Sequence, residues 1–238
     1  MMGPADSGRA IRRRAASFVY EPSVTAGAAR DTTALPTIQA TTNGVSVDRT
    51  SVLRFRPMVP SPRLLVITGA PGTGKSAILN RLRGEFRCVD EPAREVLADQ
   101  RASGGIGTWD QDPARFVDLL LQRSIAKYNA ARGSGEMVLF DRGIPDCVVY
   151  AIRAGADPQP SLTAVDVFRY EPHVLFLEPW RDIYSTDEER IMSFDDTVSF
   201  ADALRDVYTR SGYILVQVPQ TSIDARVTFV RDFVARRP

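Results

Sequence analysis

Residues 64–76, LLVITGAPGTGKS, constrain the fold of this chain more than any other stretch. The apolar run at 64–68 is typical of a strand buried on both faces, and residues 77–82 have the apolar spacing of a helix. The pattern GxxxxGKS lies between them, in the strand-to-helix context that predicts a phosphate-binding loop. The predicted loop residues are Gly69, Ala70, Pro71, Gly72, Thr73, Gly74, Lys75 and Ser76.

This loop is suited to the polyphosphate of a nucleoside triphosphate. Its glycines allow a tight turn that points successive N–H groups inward, and the N-terminus of the following helix adds partial positive charge. We expect Lys75 to reach the β- and γ-phosphates and the Ser76 hydroxyl to bind Mg²⁺. The alternative is a glycine-rich turn with a chance lysine. The complete spacing favours nucleotide binding, with ATP and Mg²⁺ as cofactors.

The composition excludes several other classes of site. The chain has 238 residues, enough for one α/β domain plus an appendage. His173 is the only histidine and there are two cysteines, which excludes a histidine-based metal centre, a Ser-His-Asp triad and a disulfide framework. A formal charge of +1 provides no global field for nucleic acid or a membrane surface, and no apolar run has the length of a membrane span. We expect a cytoplasmic protein with a small-molecule partner and no nucleic acid.

Residues 1–60 differ from the rest of the chain. They combine a basic cluster at 9–14 with a long stretch dominated by small and polar residues, a composition that buries too little apolar surface to offset the entropy of ordering. We predict a disordered N-terminal arm, followed by a phosphate-loop domain at 61–238. Two alternatives stay open: the basic cluster resembles a transit peptide or an anionic-surface contact, and Met58 is a second candidate for the natural start.

A second predicted strand, at 86–90, ends in the sequence DEPAREVL. Ligands bind at the carboxyl edge of open α/β sheets, so the acids that follow this strand are candidates for the site. Glu91 is placed to accept a proton, and Arg94, one helical turn on, to hold an anionic or hydroxyl-rich substrate. The alternative is that Asp90 and Glu91 only favour the start of a helix.

A third predicted strand, at 138–140, is followed directly by Asp141 and Arg142. An acid at this position in a phosphate-loop protein completes the Mg²⁺ shell, and the arginine beside it can contact the phosphate or the acceptor. A surface Asp-Arg turn is the alternative. Trp109 and Phe116, in and after a glycine-bearing loop, are available either to the core or to stack on a ring.

The remaining pattern completes the predicted fold. Apolar strands at 173–177 and 213–216 give a three-layer α/β P-loop NTPase with a five-stranded parallel sheet. The charged segment 178–200 departs from core patterns and predicts a helical lid over the nucleotide, in which Arg181 and Arg190 supply cations. A solvated helical hairpin is the alternative for this segment.

The motifs GAPGTGKS, DEPAREVL, FDRGIPD and EPWRDIY with DEERIMSF resemble those of an AAA-type phosphate-loop family, the NadR type, whose relatives include ribosylnicotinamide kinase. The resemblance covers about residues 62–236 and extends to nucleoside and nucleotide kinases. It implies that Glu91 is the catalytic base and that Asp141 and Arg142 begin an acid-Arg-Ser triplet, whose third residue here is Gly143. It also implies that the lid arginine is Arg190, with Arg181 a weaker match.

The same resemblance places a base-binding residue of some nucleoside kinases at Gln122. Together with the motifs it predicts transfer of the γ-phosphate of ATP to a small, hydroxyl-bearing, nucleoside-like metabolite. The rival hypothesis is a regulatory switch or binding module that binds ATP or GTP without a small-molecule acceptor.

Overall fold

A five-stranded parallel sheet organises the part of the chain that the structure, a computed structural model, describes: residues 63–184 and 192–237. The strand order across the sheet is β2-β3-β1-β4-β5, and each neighbouring pair is parallel. The strands are β1 (Leu64–Gly69), β2 (Arg87–Val89), β3 (Val138–Asp141), β4 (His173–Leu177) and β5 (Ile214–Gln217). Because β1 is central, its carboxyl end lies between those of β3 and β4.

Helices connect the strands and cover both faces of the sheet. They are α1 (Lys75–Leu82), α2 (Pro92–Ser103), α3 (Pro113–Ala131), α4 (Ile144–Ala154), α5 (Gln159–Val167), α6 (Phe194–Arg210) and α7 (Ile223–Ala235), with a single 3-10 turn at Arg181–Ile183. None of these helices is both long enough and apolar enough to cross a membrane.

The alternation of side chains along β1 explains the three layers. Leu64 and Val66 are buried in a core shared with α3, α4, α5 and α6. Leu65 and Ile67 are buried on the opposite face, against α1 and α7. Since side chains of a strand point alternately to opposite faces, an unbroken apolar run requires cover on both sides. The predicted three-layer P-loop NTPase fold with five parallel strands is confirmed.

Two boundaries differ from the sequence prediction. The charged segment at 178–200 was expected to leave the core throughout, but α6 begins within it at Phe194, and Thr197 and Phe200 are buried. The Ser193 hydroxyl caps this helix by accepting a hydrogen bond from the backbone N–H of Asp196 at 3.1 Å. Acidic residues are favourable in the first turn of a helix, so their charge here marks a helix start.

The second boundary is that of α5: the sequence predicts a short helix at 162–170, but α5 begins earlier, at Gln159 directly after Pro158. The predicted arm at 1–60 lies outside the described residues. The division of the chain at residue 60 therefore stays a prediction.

The sheet leaves no room for a side chain at Gly69, the last residue of β1. Its φ is +144°, and a Cβ at this position would lie 2.2 Å from the backbone oxygen of Leu177 in β4. We expect Gly69→Ala to lower the free energy of unfolding by about 2–4 kcal/mol, because the strands must separate and the backbone conformation is strained. Gly104→Ala is the control: its φ is +67°, but a Cβ there meets nothing within 4 Å, so only about 1 kcal/mol of strain is expected. Urea denaturation of both variants tests this, and equal losses would contradict it.

Candidate functional site

The loop between β1 and α1 holds its own lysine. Gly74 precedes α1 with a φ of +88°, a left-handed conformation that glycine adopts readily. The Nζ of Lys75 turns back along the loop and donates hydrogen bonds to the carbonyl oxygens of Gly69 and Ala70, both at 2.8 Å. It also lies 3.4 Å from the Thr73 hydroxyl. The ammonium group therefore occupies a position inside the loop, with backbone carbonyls as its partners.

The electrostatic state of Lys75 is unusual for a lysine. Its side chain is buried, and this burial together with the charge of Arg142 lowers its pKa to about 7, against the opposing effect of Asp141 and Glu91. In water a lysine has a pKa of about 10.4. An anion that entered the loop would favour the charged ammonium, because its negative charge would offset the cost of burying Lys75.

Asp141 and Ser76 lie side by side at the carboxyl edge of the sheet. Asp141 ends β3 in register with Ile67 of β1, and its Oδ2 accepts a hydrogen bond from the Ser76 hydroxyl at 3.1 Å. Its Oδ1 is buried and has no hydrogen-bond partner among the described residues. Burial, aided by the negative charge of Glu91, raises the pKa of Asp141. A cation bound to Oδ1 would offset the cost of burying this carboxylate in its charged form.

These two residues fit the predicted Mg²⁺ site. Mg²⁺ takes oxygen ligands and is usually bound by one or two carboxylates together with substrate phosphates and water. Within residues 63–184 and 192–237, no three acidic, histidine or cysteine side chains form a preformed metal cluster. The oxygens of Ser76 and Asp141 therefore suit a magnesium ion that arrives with a nucleotide.

Arg142 is buried at the centre of the site. This position excludes the alternative of a surface Asp-Arg turn at residues 141 and 142. Arg142 is only 4% exposed, and its φ of +74° makes it the one non-glycine among the described residues with a positive φ. Its Nε donates to Oε1 of Glu91 at 2.7 Å. Its Nη1 donates to the carbonyl oxygen of Gly69 at 3.0 Å and to Oδ1 of Asp146 at 2.9 Å. One guanidinium thus joins the phosphate loop to two carboxylates.

Glu91 is bound by two arginines. Its Oε1 faces Arg142, and its Oε2 accepts a hydrogen bond from the Nε of Arg94 at 2.9 Å. Although burial favours the neutral acid, the positive charges of Arg142, Lys75 and Arg94 lower the pKa of Glu91 below its usual range. Glu91 is the N-cap residue of α2, but its side chain makes no capping hydrogen bond. The carboxylate is therefore directed to the two arginines and not to the backbone N–H groups of the helix end.

Asp146 is a member of the site that the sequence did not reveal. It lies in the first turn of α4, is 2% exposed and accepts hydrogen bonds from four groups. Oδ1 receives the Thr68 hydroxyl at 2.8 Å as well as Arg142. Oδ2 receives the Tyr208 hydroxyl at 2.5 Å and the backbone N–H of Gly143 at 3.1 Å. The available signal was an acid three residues after Gly143, a position from which its carboxylate can accept the N–H of the residue before the helix.

The structure explains why position 143 is a glycine where the related triplet has serine. A Cβ on Gly143 would lie 2.8 Å from the Tyr208 hydroxyl and 3.0 Å from the Cγ2 of Val66. These distances leave no room for a Cβ unless the side chains of Tyr208 and Val66 shift. The hydroxyl that a serine would bring is therefore incompatible with Tyr208 in its present place.

An aromatic cluster adjoins Arg142. Trp109, Phe116 and Tyr150 contact one another edge to face, with ring centroids 5.9–6.1 Å apart. Phe116 is buried, whereas Trp109 is 39% exposed, so the cluster extends from the core to the surface. The guanidinium of Arg142 lies 5.9 Å from the centroid of the Tyr150 ring and 5.7 Å from that of Phe200. Aromatic surface is thus available beside the Arg142–Glu91 pair.

The other predicted site residues lie apart from this cluster. Gln122 is exposed on α3 and lines a groove with residues of α2, such as Gln100, but the lining of that groove does not include Glu91 or Arg142. Arg181 is exposed in the 3-10 turn, with its guanidinium 4.1 Å from the centroid of the Phe194 ring. Arg190 lies outside the described residues. The roles of Gln122, Arg181 and Arg190 stay predictions.

Comparison with known protein families and sequences gives two matches. A family model described as an AAA domain matches residues 64–226. The GTPase Der of Synechococcus sp. (strain JA-2-3B'a(2-13)) is 35% identical over 83 residues, which cover 32% of this chain and 18% of that protein. The shared part is thus well under two thirds of the length of this relative.

Comparison with solved structures identifies similar folds. The deoxyadenosine kinase from M. mycoides, solved with bound products, has a TM-score of 0.51 and 15% identity, and the match covers 73% of this chain and all of that one. A NadR protein in complex with NAD and AMP-PNP has a TM-score of 0.53 and 15% identity, over 74% of this chain and 50% of that one. At these identities the likeness concerns the fold, and this chain spans about half the length of that NadR protein.

The lowered pKa of Lys75 predicts a pH dependence of stability. Unfolding returns Lys75 to a pKa near 10.4, so between pH 7 and 8.5 the unfolded chain binds more protons. The free energy of unfolding should then rise with pH, by at most about 1.4 kcal/mol per pH unit from this group. We expect Lys75→Met to remove this rise, and Lys127→Met, at the lysine paired with Glu95, to keep it. Urea denaturation at pH 6.5, 7.5 and 8.5 measures the difference, and parallel curves for the wild type and Lys75→Met would refute the assignment.

Proposed function

The chain belongs to the family described as an AAA domain, and we propose that it is a kinase that transfers the γ-phosphate of ATP to a hydroxyl group of a small, nucleoside-like metabolite. The observation that carries this proposal is the position of Glu91. The guanidinium of Arg142 lies between the ionised Glu91 carboxylate and the phosphate loop, and it donates hydrogen bonds to both. A protein that only binds nucleotide does not need a carboxylate beside its phosphate site, whereas a phosphotransferase needs one to receive a proton.

The nucleotide half of the proposed site is the loop with its two flanking oxygens. Lys75 would exchange the carbonyl oxygens of Gly69 and Ala70 for phosphate oxygens and regain its full charge. Ser76 and Asp141 would hold Mg²⁺, which offsets negative charge on the phosphates when it is bound. Phosphoryl transfer requires mainly positioning and charge stabilisation from a protein, and this set of residues supplies both.

The acceptor half centres on Glu91 and Arg142. The acceptor oxygen would attack the γ-phosphorus, and the bond between this phosphorus and the bridging oxygen of ADP would break. The hydroxyl proton would pass to Glu91. In the present arrangement two arginines keep Glu91 a weak base. An acceptor hydroxyl that takes the place of the exposed Arg94 at Glu91 would raise the proton affinity of the carboxylate, while Arg142 stays beside the phosphate loop to contact the transferred phosphoryl group. Binding of the acceptor would thereby prepare both residues for the reaction.

Recognition of the acceptor would involve the aromatic cluster. Trp109 provides exposed ring surface and contacts Tyr150 beside Arg142, and a planar base stacks favourably on such a ring. Arg94, which is 58% exposed, would contact the polar groups of the acceptor, and Gln122 remains the predicted base-binding residue. Arg190, with Arg181 as the weaker candidate, would add positive charge when the lid closes.

Nucleotide binding is tested by exchanging each of the two lysines of the chain. We expect Lys75→Ala to weaken binding of ATP and Mg²⁺ by about 100-fold or more, because the charge-assisted hydrogen bonds to the phosphates are lost. Lys127→Ala makes the same chemical change on α3 and should leave the affinity unchanged. Calorimetric titration with ATP and with GTP gives the dissociation constants. Similar affinities for both variants would refute the assigned role of Lys75.

Catalysis is tested at Glu91. We expect Glu91→Gln to keep the affinity for ATP but to lower phosphoryl transfer by about 10²- to 10⁴-fold, because an amide cannot accept the proton. Glu95→Gln, one turn along α2 in an ion pair with Lys127, is the matched control and should keep full activity. Incubation with labelled ATP and a panel of nucleosides and other hydroxyl-bearing metabolites measures the transfer. Tight nucleotide binding without transfer to any acceptor would favour the regulatory switch.

A further inference from the structure

Arg226 lies behind the phosphate loop. It belongs to the second turn of α7 and is only 6% exposed. Its Nη2 donates a hydrogen bond to the carbonyl oxygen of Thr73 at 2.6 Å. Its Nη1 would lie 2.9 Å from a Cβ on Gly74, which shows how closely the guanidinium approaches the loop. The last helix of the domain thus places a cation against the residues that immediately precede Lys75.

The charge of Arg226 has no counter-charge nearby. Within the described residues no carboxylate lies within 4.0 Å of its guanidinium, and its buried Nε has no hydrogen-bond partner. Burial alone lowers its pKa, with no acidic group acting against it. Arg142 differs in this respect, since it is paired with Glu91 and Asp146.

A buried charge without a partner is costly, so its presence requires an explanation. A neutral donor, such as an amide, would suffice to hold the Thr73 carbonyl. The additional charge becomes favourable only when an anion lies near it. The phosphate loop that Arg226 contacts is the place where this domain would bind such an anion, and a nucleotide polyphosphate carries several negative charges.

We propose that Arg226 is a second cation of the phosphate site, a positioning residue that holds the Thr73 carbonyl and whose charge is balanced by the polyphosphate of a bound nucleotide. This inference rests on the proposed function, because it requires nucleotide in the loop. It adds a residue from the opposite end of the domain to the site. The contribution of Arg226 to nucleotide affinity should therefore increase with the number of phosphates, because each phosphate adds negative charge to the ligand.

The test compares loss of the Arg226 charge with its retention. Arg226→Gln removes the charge on a side chain too short to reach the Thr73 carbonyl, whereas Arg226→Lys keeps the charge. We expect Arg226→Gln to weaken ATP binding by about tenfold, ADP binding less and AMP binding least, with a smaller effect of salt on ATP affinity. The melting temperature of the ligand-free variant should be unchanged or raised, because an unbalanced buried charge is gone. Arg226→Lys should recover most of the ATP affinity.

Arg231→Gln is the matched control. Arg231 lies five residues further along α7, is exposed and is paired with Glu85, so its loss should leave nucleotide affinity unchanged. Wild-type ATP affinity in Arg226→Gln, equal weakening for ATP, ADP and AMP, or a lowered melting temperature with unchanged salt dependence would each overturn the proposal. If the wild type itself binds no nucleotide, both the proposed function and this inference fail. If it binds and Arg226→Gln binds equally well, only the inference fails.

Discussion

The guanidinium of Arg142 is the interaction on which the site depends. It connects the end of β1, through the Gly69 carbonyl, with Glu91 after β2 and Asp146 in α4. The left-handed backbone that aims it inward costs about 1–2 kcal/mol, and the three partners offset this cost. Removing one partner of a buried ion pair typically costs about 3–5 kcal/mol. The acids of the site are therefore fixed relative to the phosphate loop by one buried charge, and they do not depend on the conformation of a surface loop.

The ionisable groups of the site deviate from their usual behaviour in a consistent way. Lys75 has a lowered pKa because it is buried among carbonyls, and Asp141 has a raised pKa with one oxygen unpaired. A bound anion would stabilise the charged form of Lys75, and a bound cation would stabilise the charged form of Asp141. A magnesium nucleotide carries both kinds of charge in one ligand. The same logic extends to Arg226, whose charge is unbalanced on the other side of the loop.

The sequence predicted what local patterns encode. The apolar run of β1, the glycine spacing of the loop and the acids after β2 and β3 are each contained in a few consecutive residues, and parallel strands bring their carboxyl ends to one edge. The missed contacts join distant residues: Thr68 with Asp146 across 78 positions, Tyr208 with Asp146 across 62, and Arg226 with Thr73 across 153. Periodicity contains no information about such pairs. The start of α6 was missed because its acidic first turn has the composition of a surface loop.

The close approach of Gly143 and Tyr208 constrains which residues these two positions can hold together. A glycine-to-serine change at 143 encounters the tyrosine hydroxyl at 2.8 Å, and the same hydroxyl is bound by Asp146. A serine at 143 would require loss of the hydroxyl at 208, at the expense of one hydrogen bond to a buried acid. The two positions are therefore coupled, because the packing beside Asp146 has room for a side chain at 143 or for the tyrosine hydroxyl, but not for both.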